Sequence, residues 1–496
     1  MSKFKNVTIV GGGTAGWLTA LYIQKIAPSS NITLIESSTI GILGAGEGSV
    51  PTFTYFLKFL NIDEKDFLKE TNATHKLGIL FDNWNGDKKD YFHSFNSAHQ
   101  KFDYAYDDYG EIINAYVGCL YKGNIPFKVG EVAEQMARSN KSPFIPEPLD
   151  GVDYIPNYSF HFDAHLVAEY FKKIAIKRGV QRIEGGVVDF TQDSKGYITQ
   201  VNLKDQSINS DFIFDCSGFR RLIIGKLFKS PWKSYTEQLK ANSALTFHLP
   251  QFEDKIEPYT KAICMKNGWM WHIPLQNRIG CGYVYDSNYI TEQQAKTEIE
   301  EYLGHSIQPQ NNITFEAGTY KKAWINNCMA VGLSAGFTEP IEATSIFNAV
   351  TQLQATEKMM FENYNQTTID QFNYYFEKMN DEVLDFLYFH YITKRKDSKY
   401  WEDYLKTTKV PSSLQTLLDR WNKEIIPVRD FQTHPFSLHS WLAVGHGLDL
   451  FNKEPFIKEC DRHHFMRMNQ HLVYLKNWGE TLSKQAYTEK EYLDKL

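Results

Sequence analysis

Gly11-Gly12-Gly13-Thr14-Ala15-Gly16 is a spacing with a chemical consequence. In a strand–turn–helix, the first glycine of such a set allows the tight turn. The second lets the backbone approach a pyrophosphate, and the third lets the helix pack on its strand. The helix N-terminus then presents unpaired N–H groups to the phosphates. Glu36, about 20 residues after Gly16, is placed to accept a hydrogen bond from an adenosine ribose. A second spacing stands far along the chain, in Gly268-Trp269-Met270-Trp271-His272-Ile273-Pro274. On a strand Trp269 and Trp271 face the same side, as a bulky aromatic wall. Together the two patterns predict redox chemistry on a bound dinucleotide, screened by indole rings. The glycine fingerprint by itself does not separate FAD from NAD.

These residues need elements to hold them. Val7-Thr8-Ile9-Val10 reads as a buried strand, followed by a helix over about Ala15–Ile26 that Pro28 stops. Ile32-Thr33-Leu34-Ile35 reads as the next strand, ending in Glu36, so the chain opens as βαβ. The stretch Gly44–Pro51 is too glycine-rich for a regular element and is read as a loop approaching a ligand. Asp163 is the expected N-cap of a helix. Phe212-Ile213-Phe214-Asp215 and Met329-Ala330-Val331-Gly332 read as further buried strands of the same sheet, which makes the nucleotide-binding domain discontinuous. The strand ends Asp215-Cys216-Ser217-Gly218 and Leu333-Ser334-Ala335-Gly336 look like second and third flavin-contact segments. A single nicotinamide domain would not need them. From about Ile346 onward glycines are scarce and the chain reads as mostly helical.

Bulk composition narrows the field. With 496 residues, 42% of them hydrophobic, the chain can build a large core. A net charge of −6 without a long basic run argues against nucleic acid as a partner. Aromatic residues at 15% suit pockets for flat ligands and ordinary cores alike. Cys119, Cys216, Cys264, Cys281, Cys328 and Cys460 are widely spaced and form no metal-binding motif. They read as reduced thiols of a cytoplasmic protein. No apolar run is long enough to span a membrane, and the first residues lack the apolar core of a signal peptide.

Trp269-Met270-Trp271-His272-Ile273-Pro274 matches the WxWxIP motif of flavin-dependent halogenases, the group typified by tryptophan halogenases. Val10–Trp17 resembles their opening VGGGTAGW. The Gly44–Pro51 segment resembles GxGEATxP, with Gly48 and Ser49 where Ala and Thr are usual. Asn72–Trp84, His161–Ala168, Asp215–Arg220 and Glu339–Thr344 resemble further segments of the family, and the resemblance fades beyond about residue 400. It implies an α/β fold: an FAD-binding, Rossmann-like module of the PHBH-type flavoprotein monooxygenases over 1–360. A mostly helical substrate-side region over 361–496 packs on it.

The resemblance also implies roles. Lys76 is the catalytic lysine that holds and polarises hypohalous acid, by hydrogen bond or as a haloamine. Glu342 is the active-site glutamate that takes the ring proton or stabilises the cationic intermediate. Thr344 and Ser345 fall where halide is bound. His93 and Phe95 match positions that sandwich a flat substrate, and Trp441 is a substrate-side candidate. Gly11, Gly13, Thr14, Ala15, Gly16, Glu36, Ala45, Gly46, Glu47, Val187, Leu333 and Ile346 are the expected FAD contacts. Trp269 and Trp271 line the wall that keeps the organic substrate from the flavin. Where the family usually has Glu-Ser-Thr-Gly, this chain has Glu342-Ala343-Thr344-Ser345. Ala343 cannot hydrogen-bond through its side chain, and Ser345 replaces a glycine. Bromide and iodide, more easily oxidised than chloride, are favoured on that ground. The family's tyrosine pair for the tryptophan backbone is not evident. His439-Ser440-Trp441-Leu442 occupies the nearest comparable place.

The expected reaction uses reduced FAD from a separate flavin reductase, O₂ and halide to make hypohalous acid, which halogenates an electron-rich indole or phenol at Lys76. Metal is not expected, and homo-oligomerisation is compatible with the sequence. Two rivals share the flavin segments: an aromatic monooxygenase, and a flavoprotein that only carries electrons. Neither requires Lys76 and the tryptophan pair.

Overall fold

A computed structural model describes residues 4–37, 46–95, 109–125, 131–146, 156–361, 364–463 and 465–496. The chain forms two compact units, each assembled from three stretches. The first comprises Met1–Ala73, Phe162–Tyr235 and Glu316–Asp381, and the second Thr74–His161, Thr236–Phe315 and Glu382–Leu496. This division differs from a single cut near residue 360, because each unit's main sheet recruits strands from separate parts of the chain.

In the first unit a six-stranded sheet runs in the order Trp324–Ile325, Cys328–Ala330, Phe212–Asp215, Asn6–Val10, Asn31–Glu36, Gln181–Glu184. All neighbours are parallel except the first pair. Its central strands are apolar on both faces, as a parallel sheet covered by helices requires. Helix Thr14–Ile26 follows the first strand and is buried along most of its length. Helix Ala164–Lys177 starts at Asp163, whose Oδ1 accepts from the N–H groups of His165 at 2.8 Å and Leu166 at 3.2 Å. The expected strand at Met329–Gly332 is shorter, Cys328–Ala330. Gly332, with φ of 66°, turns the backbone out of extended geometry and starts a 3₁₀ turn over Gly332–Ser334. Within Gly44–Pro51, Glu47–Gly48 forms a two-residue strand rather than pure loop.

The second unit is built on a seven-stranded sheet. Its order is Pro309–Thr314, Ser243–Pro250, Arg278–Tyr285, Gly268–Pro274, Thr260–Met265, Gly78–Asp82, Asp90–Ser94. Only the pairing of Gly78–Asp82 with Thr260–Met265 is parallel. One core packs Leu245, Phe247, Met270 and Tyr283 beneath helix Glu292–Leu303. That helix opens with a capping box between Thr291 and Gln294 and ends on Gly304 in left-handed conformation. Its later sequence is helical as expected, with helices at Lys399–Thr407, Ser412–Trp421, Leu438–Gly447, Lys453–Arg462, Phe465–Gln485 and Glu489–Leu493. All six cysteines are buried free thiols. Among the described residues no helix is long and apolar enough to cross a membrane, and no group of His, Cys, Asp or Glu could hold a metal.

Candidate active site

The carboxyl ends of three parallel strands in the first unit carry the glycine turn, Cys216 and Gly332. A Cβ added at Gly11, where φ is 122°, would lie 2.1 Å from the carbonyl oxygen of Cys216, and one at Gly16 would lie 1.9 Å from Gly11 O. Both glycines are therefore demanded by the protein itself. Gly13 differs: nothing lies within 4 Å of a Cβ there. It is also the N-cap of helix Thr14–Ile26, with no side-chain cap and no acidic residue in the first turn. Free space, uncapped N–H groups and the positive end of a helix dipole suit a pyrophosphate. These residues fit the FAD that the sequence implies.

Around the turn, Glu36 stands at the end of its strand. It accepts from Trp17 Nε1 at 3.3 Å and Arg182 Nε at 2.5 Å, with Lys172 Nζ at 3.5 Å. Glu47 is pushed up to about 7 by burial, with the charge of Asp163 adding to the effect. Gly46 takes a positive φ of 90°, while Ala45 lies outside the described residues. Leu333 sits in the 3₁₀ turn after Gly332, Ile346 is buried in the first turn of helix Thr344–Phe361, and Val187 opens a strand. Asp215, in the segment read as a flavin contact, is consumed locally. Its carboxylate accepts from Ser217 N and Oγ and from the N–H groups of Ile223 and Ile224.

Glu342 is buried at the end of a short 3₁₀ turn that Pro340 begins. Ala343 has φ of 54°, the left-handed region, and reverses the chain so that helix Thr344–Phe361 starts at once. The hydroxyl of Thr344 lies 3.0 Å from that of Thr338. Thr344 and Ser345 thus occupy the N-terminal turn of a long helix, a setting that favours an anion.

The second unit holds the lysine. Lys76 ends the strand Thr74–Lys76, which pairs antiparallel with Ser159–Phe162, and is 1% exposed. Strand Gly78–Asp82 follows directly and pairs with Asp90–Ser94. Phe95 N–H donates to Leu77 O at 3.2 Å, which brings the Phe95 ring under the ammonium, 5.3 Å from Lys76 Nζ to the ring centroid. His93 is buried, with its ring 5.7 Å from that of Phe386 in an edge contact. So Lys76 and Phe95 lie together, and His93 stands two residues before Phe95 in the chain. Trp441 is 1% exposed and packs on Phe386, Phe389, Trp421 and Phe431. It belongs to an aromatic core that touches the same Phe386.

The tryptophan pair lies in strand Gly268–Pro274, with ring centroids 6.1 Å apart. Trp271 is opposite Gly282, where a Cβ would lie 2.1 Å from the indole. Glycine there makes room for the ring.

Three polar clusters were not foreseen in the sequence. Thr74 donates from Oγ1 to Pro274 O at 2.7 Å and lies 3.2 Å from His161 Nδ1. His161 is held well below the usual histidine range by burial, then by the charges of Lys76 and His75. His75 pairs with Glu489, both fully buried, at 3.0 Å. Ser94 donates to Glu131 Oε2 at 2.9 Å and lies 3.2 Å from His439 Nε2. Burial lifts Glu131 well above the carboxylate range and, with the charge of His93, presses His439 down to about 3, so that imidazole is neutral near pH 7. Thr74, His75, His161 and His439 stand in segments the sequence singles out, though without a role, whereas Glu131 and Glu489 carried no signal.

The family model described as tryptophan halogenase matches residues 6–461. The chain is 34% identical over 431 residues to tryptophan 7-halogenase RebH of Lentzea aerocolonigenes, covering 80% of this chain and 78% of that protein. It is 32% identical to tryptophan 6-halogenase SttH of Streptomyces toxytricini, covering 84% of each. Among solved structures it resembles BrvH, a flavin-dependent halogenase from Brevundimonas sp. BAL3, with TM-score 0.88, 27% identity and 99% of both chains covered. Xcc4156, a flavin-dependent halogenase from Xanthomonas campestris, matches with TM-score 0.89, 28% identity and coverage of 99% and 98%. On that similarity and on the PHBH-like fold it shares with them, this chain belongs to the tryptophan halogenase family of flavin-dependent halogenases and is an oxidoreductase of that kind.

Proposed function

We propose that the protein halogenates an electron-rich aromatic, of indole or phenol type, with hypohalous acid delivered to Lys76. When bound, reduced FAD from a separate reductase supplies, with O₂ and halide, that hypohalous acid. The observation that carries the reading is the placement of Lys76: a buried ammonium over the face of Phe95. A buried ammonium donates hydrogen bonds in a low-dielectric setting, where they polarise an O–X bond more strongly than in water. The arene's electron pair then forms the C–X bond as O–X breaks, and hydroxide leaves as water with a proton from the ammonium. Glu342 is the carboxylate proposed to take the ring proton. Thr344 and Ser345 are proposed to bind halide at their helix N-terminus, with bromide or iodide preferred over chloride. Gly11, Gly13, Thr14, Ala15, Gly16, Glu36, Gly46 and Glu47 are proposed to hold FAD. Trp269 and Trp271 are proposed to exclude a bulky arene while small oxidants pass.

The test is Lys76→Ala with reduced FAD, O₂, halide and a panel of indoles and phenols. Halogenated product is expected to fall by on the order of 10³-fold or more, while FAD binding and oxidation of a soluble hypohalite scavenger persist. Product at the wild-type rate would remove Lys76 from the mechanism, and hydroxylated product alone from the wild type would favour a monooxygenase.

A further inference from the structure

The strand that carries Lys76 is fixed from both faces. Alternation turns Thr74 and Lys76 to one face and His75 to the other. On the first face Thr74 is tied to Pro274, the last residue of the tryptophan motif. On the reverse face His75 meets a carboxylate from the far end of the chain. Glu489 Oε1 accepts from the backbone N–H of His75 at 2.8 Å, and its two oxygens lie 3.1 and 3.0 Å from His75 Nδ1. Both side chains have no exposed surface. The imidazole is boxed by the rings of Phe144, Tyr158, Phe160 and Tyr492, at 5.2–5.8 Å between centroids.

Glu489 is itself held in place. The segment around it crosses residues 140–144 through Ser142 N–H to Tyr487 O at 3.0 Å, Tyr487 N–H to Phe144 O at 3.3 Å and Glu489 N–H to Asn140 O at 2.8 Å. Lys141 Nζ adds a bond to Ala486 O at 2.9 Å. Glu489 also lies past residue 461, where the match to the family model ends.

We infer that Glu489 is a positioning residue for Lys76, acting through His75. The inference rests on the proposed role of Lys76 in halogen transfer. One carboxylate satisfies both the backbone N–H and the ring N of the residue next to the lysine. Without it, two buried polar groups lose their acceptor, and the strand moves to find others. A displacement of about 1 Å at the ammonium is enough to cost on the order of 10²-fold in a reaction that depends on alignment. The oxidant would still form, and would escape unspent.

The test compares Glu489→Leu with wild type, Lys76→Ala and Glu491→Gln. Glu491 caps Thr488 in the same short helix but does not touch His75, so it reports a purely structural effect. Two quantities are read. One is halogenated product per reduced FAD consumed, with escaped hypohalite trapped by a soluble scavenger. The other is the rate at which Lys76 is reductively methylated by formaldehyde and borane, followed by peptide mass spectrometry. Glu489→Leu, which removes both acceptor oxygens, is expected to lower the product yield by on the order of tenfold or more. Scavenger oxidation should rise in step, and Lys76 methylation should change by about threefold or more. Glu491→Gln is expected to change neither. Glu489→Asp keeps the charge but withdraws it by one methylene and should fall between. If Glu489→Leu does not fold, the Asp variant decides. Wild-type yield together with wild-type Lys76 methylation in a folded Leu variant, or in the Asp variant, overturns the inference. If Lys76→Ala itself keeps making product, the reading of Lys76 fails separately, and the methylation rate still shows whether Glu489 sets its environment.

Discussion

Around Gly11 the groups that shape the turn come from Cys216 and Gly16, at the ends of adjacent parallel strands and in the helix that follows. Around Lys76 they come from everywhere: Pro274 lies 200 residues from Thr74, and Glu489 lies 414 residues from His75. The first region is a steric solution, in which space is left by omitting side chains. The second is a polar solution, in which buried donors and acceptors must be matched one by one. A steric site tolerates chemistry but not volume, whereas a polar site tolerates neither an added group nor a missing one. Substitutions that separate volume from hydrogen bonding therefore test the contrast directly.

The largest effect is expected at Gly11. A Cβ 2.1 Å from a carbonyl oxygen, at φ of 122°, cannot be relieved by a side-chain rotation because the opposing atom is backbone. Gly11→Ala should cost about 4 kcal/mol or more, seen as loss of soluble protein or a collapse in melting temperature. A near-native melting temperature would show that the turn is not sterically closed. Glu47 comes next. Its folded-state value of about 7 exceeds the ordinary 4.5, so the folded protein binds this proton more tightly than the unfolded chain. The stabilisation is complete below about pH 4.5 and is lost as pH rises through 7, amounting to at most ~3 kcal/mol. Denaturant titrations at pH 5 and pH 8 should show it in the wild type and a flatter response in Glu47→Gln. Equal slopes in the two proteins would place the titration elsewhere.

The contrast also explains what the sequence made legible. The βαβ opening, the helix cap at Asp163 and the tryptophan strand follow from local spacing, and all three form where periodicity and turn residues place them. The discontinuous sheet was legible from its apolar strand runs. The compact units were not. Strand Gly78–Asp82 and strand Thr260–Met265 are neighbours only because two inserted stretches fold together, and no periodicity encodes that pairing. The same holds within the lysine neighbourhood. Lys76, His93 and Phe95 stand in short motifs and His439 in a singled-out segment, but Glu131 and Glu489 are isolated acids in sequence. Solvated surface residues would look the same there. Burial gives them their chemistry, and burial is a property of the assembled unit.

Thr74→Val removes a hydroxyl while keeping its volume. It takes a donor from Pro274 O and a partner from His161 Nδ1, both buried. The expected loss is about 1–3 kcal/mol, read in the melting temperature, with a fall in halogenated product because the lysine strand loses its hold on one face. A silent Thr74→Val would mean that the reverse face, through His75, fixes the strand alone.

The smallest stability effect is expected at Gly13, and it is the sharpest test of the steric half of the contrast. Its φ is −76°, which any residue adopts, and no atom lies within 4 Å of an added Cβ. The protein itself therefore has no need of glycine at this position. Gly13→Ala should leave stability within about 0.5 kcal/mol of wild type. The methyl group would nevertheless stand in the space left before the N-terminus of helix Thr14–Ile26, where a pyrophosphate would approach the backbone. FAD affinity, measured by flavin fluorescence or equilibrium dialysis, should fall by on the order of tenfold or more. Stability and affinity thus part company at Gly13, whereas at Gly11 they fall together. Unchanged FAD affinity in Gly13→Ala would mean that the open space is not where the cofactor's phosphates lie, and the fit of this turn to a dinucleotide would have to be argued from Gly11 and Gly16 alone.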